Sequence, residues 1–544
     1  MNAATQVEWA DGPMIYFPEI VTLGDVPRVH GRRTPEAPAF RFEDEQIDWA
    51  ECDLRASRVA RALREAGVGI GDRIAYLGKN SLAYFELLFG ACRVGAVMVP
   101  INWRLAPPEV RQILDDCGAA LLFVDETGAA TAAALPGSSA PTPDLISIQP
   151  VEGLPVFREW RDAWAEADWP PPGKADDVAI QLYTSGTTGL PKGVQLSHRA
   201  FYAFNAHAAE HPEEFGPEFE WNSWSAADVA LVALPVFHIS GSGWGIVAAY
   251  AGAFTIVLRE FDHSMVIEAI RRFKVSKTVL VPQTIQAILD LPELRPEDFA
   301  SMRNFMYGAA PISPQLLERA VAAFDCGFVQ MYGLTETCGG VSCLAPADHR
   351  PELARMRSAG RPLPGVGVRI VEPGSDAPRA IGEVGEICVR TPAAMNGYWR
   401  KPEETARIIA GDGWVRTGDA GYLDEDGFLF ITDRVKDMIV SGGENIYPAE
   451  VEAALATHPE VLEVAVIGVP DARWGEAVKA VVAPRPGCAP DAAALIAHAR
   501  QLIAGYKLPK SVDFVAALPR NATGKVMKHV LREPYWHDRV RRVN

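Results

Sequence analysis

The chain has 544 residues, 48% hydrophobic and 22% charged, the balance of a globular protein large enough for more than one domain. A net charge of −17 excludes bulk attraction to nucleic acid or an anionic membrane, since counterion release needs a basic face. The eight cysteines form no CxxC pair and no Cys/His cluster with zinc spacing, so reduced thiols are expected.

Residues 1–40 carry little signal. From about Ala50 a helical period appears, with Leu54, Val59, Leu63 and Ala66 near one face and Gly67 as its stop. Residues 73–77 read as a strand, 81–94 as a helix, 96–101 as a strand, 108–116 as a helix and 120–124 as a strand. This alternation predicts a mostly parallel sheet covered on both faces. Residues 126–175, rich in Ala, Pro and Gly, are expected to be irregular. Strand-like runs then recur at 178–182, 229–234, 254–258, 278–281 and 328–331. Helix-like runs recur at 200–209, 265–273, 284–291 and 314–324.

After Val368 the pattern changes to short alternating runs at 368–371, 385–390, 422–423 and 428–432, with a hairpin at Asp426-Gly427. The remainder reads as a helix at 448–457, strands at 464–469 and 477–484, a helix at 491–504 and a strand at 511–517. The expected fold is α/β. A large N-terminal domain, 1–434, holds parallel αβ layers and a small β-barrel-like region. A small mobile α+β domain, 435–544, follows. No segment offers 18 uncharged apolar residues, and no basic-then-apolar leader opens the chain, so a soluble, cytoplasmic protein without an integral membrane segment is expected.

The stretch Tyr183-Thr184-Ser185-Gly186-Thr187-Thr188-Gly189-Leu190-Pro191-Lys192-Gly193 follows a buried strand, with a helix expected from about Ser197. Glycines let backbone N–H groups approach phosphate oxygens, hydroxyls donate to them, and Lys192 adds a point charge. The Walker A spacing is absent. Five further stretches stand out: Gly308-Ala309-Ala310-Pro311, Tyr332-Gly333-Leu334-Thr335-Glu336, Thr417-Gly418-Asp419, Asp433-Arg434, and Asn521-Ala522-Thr523-Gly524-Lys525. Read alone, each is a turn or a surface charge as readily as a site.

Together they resemble the signature stretches of the adenylate-forming enzymes: acyl-CoA synthetases, peptide-synthetase adenylation domains and luciferases. The resemblance covers most of the chain and looks most like the fatty-acyl-CoA branch. It implies ATP and CoA as co-substrates, and Mg²⁺. ATP or AMP contacts would come from Thr184, Ser185, Gly186, Thr187, Thr188, Gly189 and Lys192. Gly308, Ala309, Ala310 and Pro311 would wall the adenine, Tyr332 would stack on it, and Gly333 would be a further nucleotide contact. Thr335 would meet phosphate, Asp419 and Arg434 the ribose, and Glu336 the metal. The implied catalytic set is Lys525, Glu336, Thr184 and His238, with His238 as an orienting gate rather than a base. The acyl pocket would use His238, Ser240, Gly241, Trp244, Gly339 and Gly340. Ser441, Gly442, Gly443, Glu444, Trp474 and Lys510 would meet CoA, with a hinge at Lys436.

These roles define an acid–thiol ligase that makes acyl-AMP and then an acyl-CoA thioester, with a medium- or long-chain fatty acid as the expected substrate, in fatty-acid metabolism. The alternatives are an aryl acid of the cinnamate or benzoate type, and an acceptor other than CoA. A non-catalytic nucleotide-binding homologue is disfavoured by Lys525, Glu336 and Asp419 together. A homodimer is compatible with the sequence.

Overall fold

The computed structural model describes residues 6–9, 12–138, 142–165, 173–185, 191–225, 227–292, 294–310, 312–350, 352–441, 444–520 and 526–536. The chain divides into two compact units, Met1–Gly367 with Val389–Val415, and Val368–Cys388 with Arg416–Asn544. The sequence reading places the division at 434/435. In the structure Asp419 and Arg434 both lie in the second unit.

The first unit holds two large sheets. One has seven strands, ordered Gly397–Tyr398, Pro191–Ser197, Val178–Ser185, Val97–Ile101, Arg73–Leu77, Leu121–Val124 and Asp144–Ser147. Its last five strands run parallel, as their helical crossovers require. The other has nine strands, with a parallel centre of Gly327–Tyr332, Asn304–Gly308, Lys277–Leu280, Val229–Val232, Phe254–Val257 and Pro38–Phe42. Antiparallel strands close both of its edges.

Helix Leu82–Val94 explains how the sheets share a core. Ser81 caps it, accepting a hydrogen bond from Tyr84 N, and Gly95 ends it in the left-handed region at φ +75°. All of its residues are buried, so no face of it meets solvent. One cluster joins its Phe85, Leu88 and Phe89 to Tyr76 and Met98 of the first sheet and Phe40 and Val232 of the second. Within this core sits a charged group: Glu86 accepts from Arg55 at 3.0 Å and from Arg161 at 2.6 Å. The pairing is what makes burial of the carboxylate tolerable.

Three sequence expectations are corrected here. The described part of residues 126–175 is not wholly irregular: it carries helix Glu126–Ala133, strand Asp144–Ser147 and helix Phe157–Asp162. Between the phosphate-loop strand and the expected helix, seen as Ala203–Glu210, the chain adds a strand not expected from the sequence, Pro191–Ser197, which pairs antiparallel with the first. Ser240, Gly241 and Trp244, expected only as pocket lining, lie on a helix, Ile239–Tyr250.

The second unit carries a four-stranded sheet ordered Gly367–Val371, Gly385–Arg390, Val415–Leu423 and Leu429–Arg434. Its last two strands form the expected hairpin, and Gly427 at φ +80° supplies the left-handed turn residue. A five-stranded sheet follows, built on the long antiparallel pair Val461–Asp471 and Gly475–Pro484, with helices Pro448–Ala456 and Ala492–Ala499. Its own apolar core includes Ile439, Val451, Leu455, Val466 and Val482. The architecture is thus α/β, with layered sheets in the first unit and an α+β second unit. The cysteines are free thiols, five of them buried.

Candidate active site

Strand Val178–Ser185 puts Thr184 directly opposite Lys192 and Tyr183 opposite Gly193. A Cβ on Gly193 would lie 2.7 Å from Gln181 Nε2, so glycine is needed for the two strands to close. Gln181 donates to the Tyr183 hydroxyl at 2.9 Å, and that hydroxyl donates to Asp116. The root of the hairpin is therefore tied to helix Pro107–Cys117. Gly186, Thr187, Thr188, Gly189 and the Ser185 side chain lie outside the described residues.

The third strand on this edge was not singled out in the sequence. Gly397–Tyr398 pairs with Pro191–Ser197 through Val194 and Tyr398, and Trp399 N donates to Gly193 O at 2.8 Å. Tyr398 donates its phenol to Glu336 Oε1 at 2.8 Å. Lys192 Nζ lies 5.2 Å from the centre of the Tyr398 ring and forms an ion pair with Glu404. Lys192, Tyr398 and Glu336 thus form one group, although more than 140 residues separate Lys192 from Glu336. The only sequence signal for Tyr398 and Glu404 was an aromatic pair, Tyr398-Trp399, just ahead of Pro402 at a helix start.

Glu336 lies in a one-turn 3₁₀ segment, Thr335–Thr337, that follows strand Gly327–Tyr332. Thr337 Oγ1 accepts from Leu334 N at 3.0 Å, and Glu336 O accepts from Met395 N at 2.9 Å. Gly333 has backbone packed against it: a Cβ there would stand 2.3 Å from Gly339 O. Gly308 is equally confined, 2.2 Å from Met331 O by the same measure. Ala309 takes a left-handed conformation at φ +62°, which turns the chain sharply after strand Asn304–Gly308. Tyr332 is 8% exposed at the end of its strand. Pro311 lies outside the described residues.

His238 precedes helix Ile239–Tyr250, its ring centre 5.4 Å from that of Phe237 and tilted by 50°. Burial, reinforced by Arg104, lowers its pKa to about 4, so the imidazole is neutral near pH 7. Of the expected pocket residues, Ser240 is half-buried on that helix. Gly241, expected in the pocket, and Gly245 one turn on leave no open space. A Cβ on Gly241 would lie 2.2 Å from Pro235 O, and one on Gly245 would lie 2.5 Å from Phe85 Cζ. Trp244 is a core residue: it rests on Trp224 and donates to Leu231 O at 3.1 Å. Ile239, Gly243 and Val247 instead form a half-buried stripe at four-residue spacing, on one helix face. Gly339 takes φ +91°, and Gly340 faces Phe204 and Leu363.

In the second unit Asp419 and Arg434 are cross-strand partners, with Arg434 Nε 2.7 Å from Asp419 Oδ1. Lys436 lies in a 3₁₀ turn, Val435–Asp437, and burial lowers its pKa. Ser441 ends strand Ile439–Ser441 and pairs with Glu444; Gly442, Gly443 and the Glu444 side chain lie outside the described residues. Trp474 is 40% exposed, with the Arg473 guanidinium 4.5 Å above its ring. Asp471 Oδ1 holds that turn by accepting from Arg473 N and Trp474 N. Lys510 is exposed beside strand Ser511–Phe514. Lys525 lies outside the described residues.

A hydroxyl-rich hairpin with its lysine beside a strand-end carboxylate, and a second α+β unit, define an adenylate-forming ligase that joins an acid to a thiol. The chain belongs to the AMP-binding enzyme family, whose profile matches residues 28–399, while that of the AMP-binding enzyme C-terminal domain matches 450–525. It is 40% identical to the fatty acid–[acyl-carrier-protein] ligase ScoC of Streptomyces coeruleorubidus, over 97% of this chain and 99% of that one. It is 39% identical to a feruloyl-CoA synthase of an Amycolatopsis species, over 94% and 99%. Among solved structures, ATP-bound MatB from Rhodopseudomonas palustris superposes with a TM-score of 0.84 at 31% identity, covering 94% of this chain and 99% of that chain. ATP and a thiol acceptor are accordingly the co-substrates of this enzyme class, and Mg²⁺ is general to it. Among the described residues no helix is long and apolar enough to cross a membrane.

Proposed function

We propose that this protein is an ATP-dependent acyl-CoA synthetase for medium- or long-chain fatty acids. The observation that carries the reading is the meeting of Lys192 and Glu336 at Tyr398. A triphosphate chain needs a cation and a carboxylate-held metal at fixed spacing, and these side chains offer both.

In the first half-reaction the acid's carboxylate attacks the α-phosphorus of ATP, and the bond to pyrophosphate breaks. Thr184, the rest of the phosphate loop and Lys192 hold the phosphates. Thr335 donates to phosphate, Tyr332 stacks on adenine against Gly308–Ala310, and Asp419 with Arg434 takes the ribose. Glu336 suits Mg²⁺, because a carboxylate oxygen is a hard donor; the ion would neutralise phosphate charge when bound. Lys525 stabilises the charge that builds on the α-phosphate and the attacking carboxylate. Neutral His238 orients the acyl end without acting as a base.

In the second half-reaction the CoA thiol attacks the acyl carbon and AMP leaves. The small domain, 435–544, turns about Lys436, withdrawing Lys525 and presenting the 441–444 segment, with Trp474 and Lys510 toward the CoA nucleotide. The protein acts in the cytoplasm, in fatty-acid metabolism. The apolar stripe Ile239, Gly243 and Val247 favours an alkyl chain. Two similar proteins keep other readings in view: the ScoC likeness favours a carrier-protein thiol as acceptor, and the feruloyl-CoA synthase likeness favours an aryl acid. Thioester formation followed by mass spectrometry, with alkyl and aryl acids and with CoA or acyl-carrier protein as acceptor, tests these against one another. Alkyl-CoA products are expected; aryl or carrier-bound products overturn the corresponding part.

A further inference from the structure

Tyr398 makes two polar contacts with one side chain. Its phenol oxygen is 2.8 Å from Glu336 Oε1, and its ring lies 5.2 Å from Lys192 Nζ. The ring is 8% exposed, so neither contact is diluted by bulk water. Its backbone is fixed independently: Tyr398 N donates to Thr405 Oγ1 at 2.9 Å, and Thr405 Oγ1 donates to Lys401 O at 2.9 Å. Strand pairing with Val194 holds it beside the phosphate-loop hairpin. The same segment grips Glu336 a second time, through Met395 N to Glu336 O at 2.9 Å.

Glu404 completes the arrangement from the other side. It is the counter-ion of Lys192, and that contact lowers its own pKa. The lysine is thus held between a carboxylate and an aromatic face.

We propose that Tyr398 is a positioning residue for nucleotide binding, its phenol orienting the Glu336 carboxylate and its ring face placing the Lys192 ammonium. One rigid side chain then fixes the spacing between the cation and the metal-facing carboxylate. Partners that orient a ligating carboxylate typically change metal affinity by about 10- to 100-fold when removed. The inference rests on the adenylation reading above.

Two variants separate the two contacts. Tyr398→Phe keeps the ring and removes the phenol; Tyr398→Leu removes both. Binding of ATP is measured by calorimetry in EDTA, and binding of Mn²⁺ to the enzyme–ATP complex by electron paramagnetic resonance. For Tyr398→Phe the Mn²⁺ needed for half-saturation rises about tenfold while metal-free ATP binding is unchanged. For Tyr398→Leu metal-free ATP binding also weakens, by about threefold or more, the scale of a cation–π contact. Wild-type Mn²⁺ binding in Tyr398→Phe, with the protein folded by urea titration, overturns the proposal. So does an equal loss of metal-free ATP binding in both variants, which marks a purely structural role. If Tyr398→Leu fails to fold, Tyr398→Phe decides alone. Failure of the wild type to bind ATP at all would sink the adenylation reading instead, which keeps the two failures apart.

Discussion

Arg434 Nε lies 2.7 Å from Asp419 Oδ1, across the two strands of one hairpin. Asp419 is 5% exposed, and its own N–H donates to Thr417 Oγ1 at 3.0 Å. The carboxylate is therefore fixed before any ligand arrives, as an acceptor for ribose hydroxyls should be. Asp419→Asn keeps the shape and removes the charge. It should raise the KM for ATP about tenfold or more and cost about 2 kcal/mol of stability, the scale of a hydrogen bond to a charged group. Initial-rate kinetics and a urea titration check both numbers.

Glu86 is the carboxylate on which Arg55 and Arg161 converge inside the first unit. Glu86→Gln removes the charge that Arg55 and Arg161 share and leaves Arg55 to Glu45 and Glu51, and Arg161 to Asp162. The expected loss is about 1.5–3 kcal/mol, the scale of a hydrogen bond to a charged group. The substituted enzyme should unfold at markedly lower urea while its KM values at low temperature are unchanged.

His198 is buried, and its Nδ1 accepts from Leu23 N at 3.1 Å, so the ring must be neutral at that atom. Burial lowers its pKa from 6.5 to about 4. A histidine with a depressed folded-state pKa contributes stability above its unfolded value and loses it as the pH falls toward the folded one. Stability should therefore decline between about pH 6.5 and pH 4, by up to about 3 kcal/mol from this residue. His30 and His349, also lowered to about 4, act in the same direction. His198→Gln should start less stable at pH 7.5 and lose less on acidification, as read by melting temperature against pH.

Gly333 meets Gly339 O so closely that no side chain fits. Gly333→Ala must push apart the turn that carries Thr335 and Glu336. A loss of about 1–3 kcal/mol is expected from overpacking, with a larger fractional loss of adenylation than of folded protein. Circular dichroism beside pyrophosphate release separates the two.

The regular part of the fold was legible because its periodicities are strong. Strand Arg73–Leu77 and helix Pro314–Phe324 match the expectation at both ends, since each is apolar on its buried face and bounded by turn chemistry. Strand Pro191–Ser197 was missed because Pro191 and Gly193 read as loop formers, yet Pro191 opens the strand and Gly193 is forced by Gln181. Helix Ile239–Tyr250 was missed because Gly241, Gly243 and Gly245 lower its propensity. Two of those glycines exist for close approach to Pro235 O and Phe85, a tertiary cause that no local window contains. The site divides in the same way. Short stretches such as Thr335–Glu336 announce themselves, whereas Tyr398 and Glu404 acquire meaning only when strand pairing brings them to Lys192.

The most direct test of the account is ATP–pyrophosphate exchange without CoA, for the wild type and Lys525→Ala, across straight-chain acids. The account predicts exchange that depends on an alkyl acid and falls at least about a hundredfold in the variant, the scale of one lost charge-stabilising donor. Exchange undiminished in Lys525→Ala, or absent with every acid while ATP still binds, would contradict it.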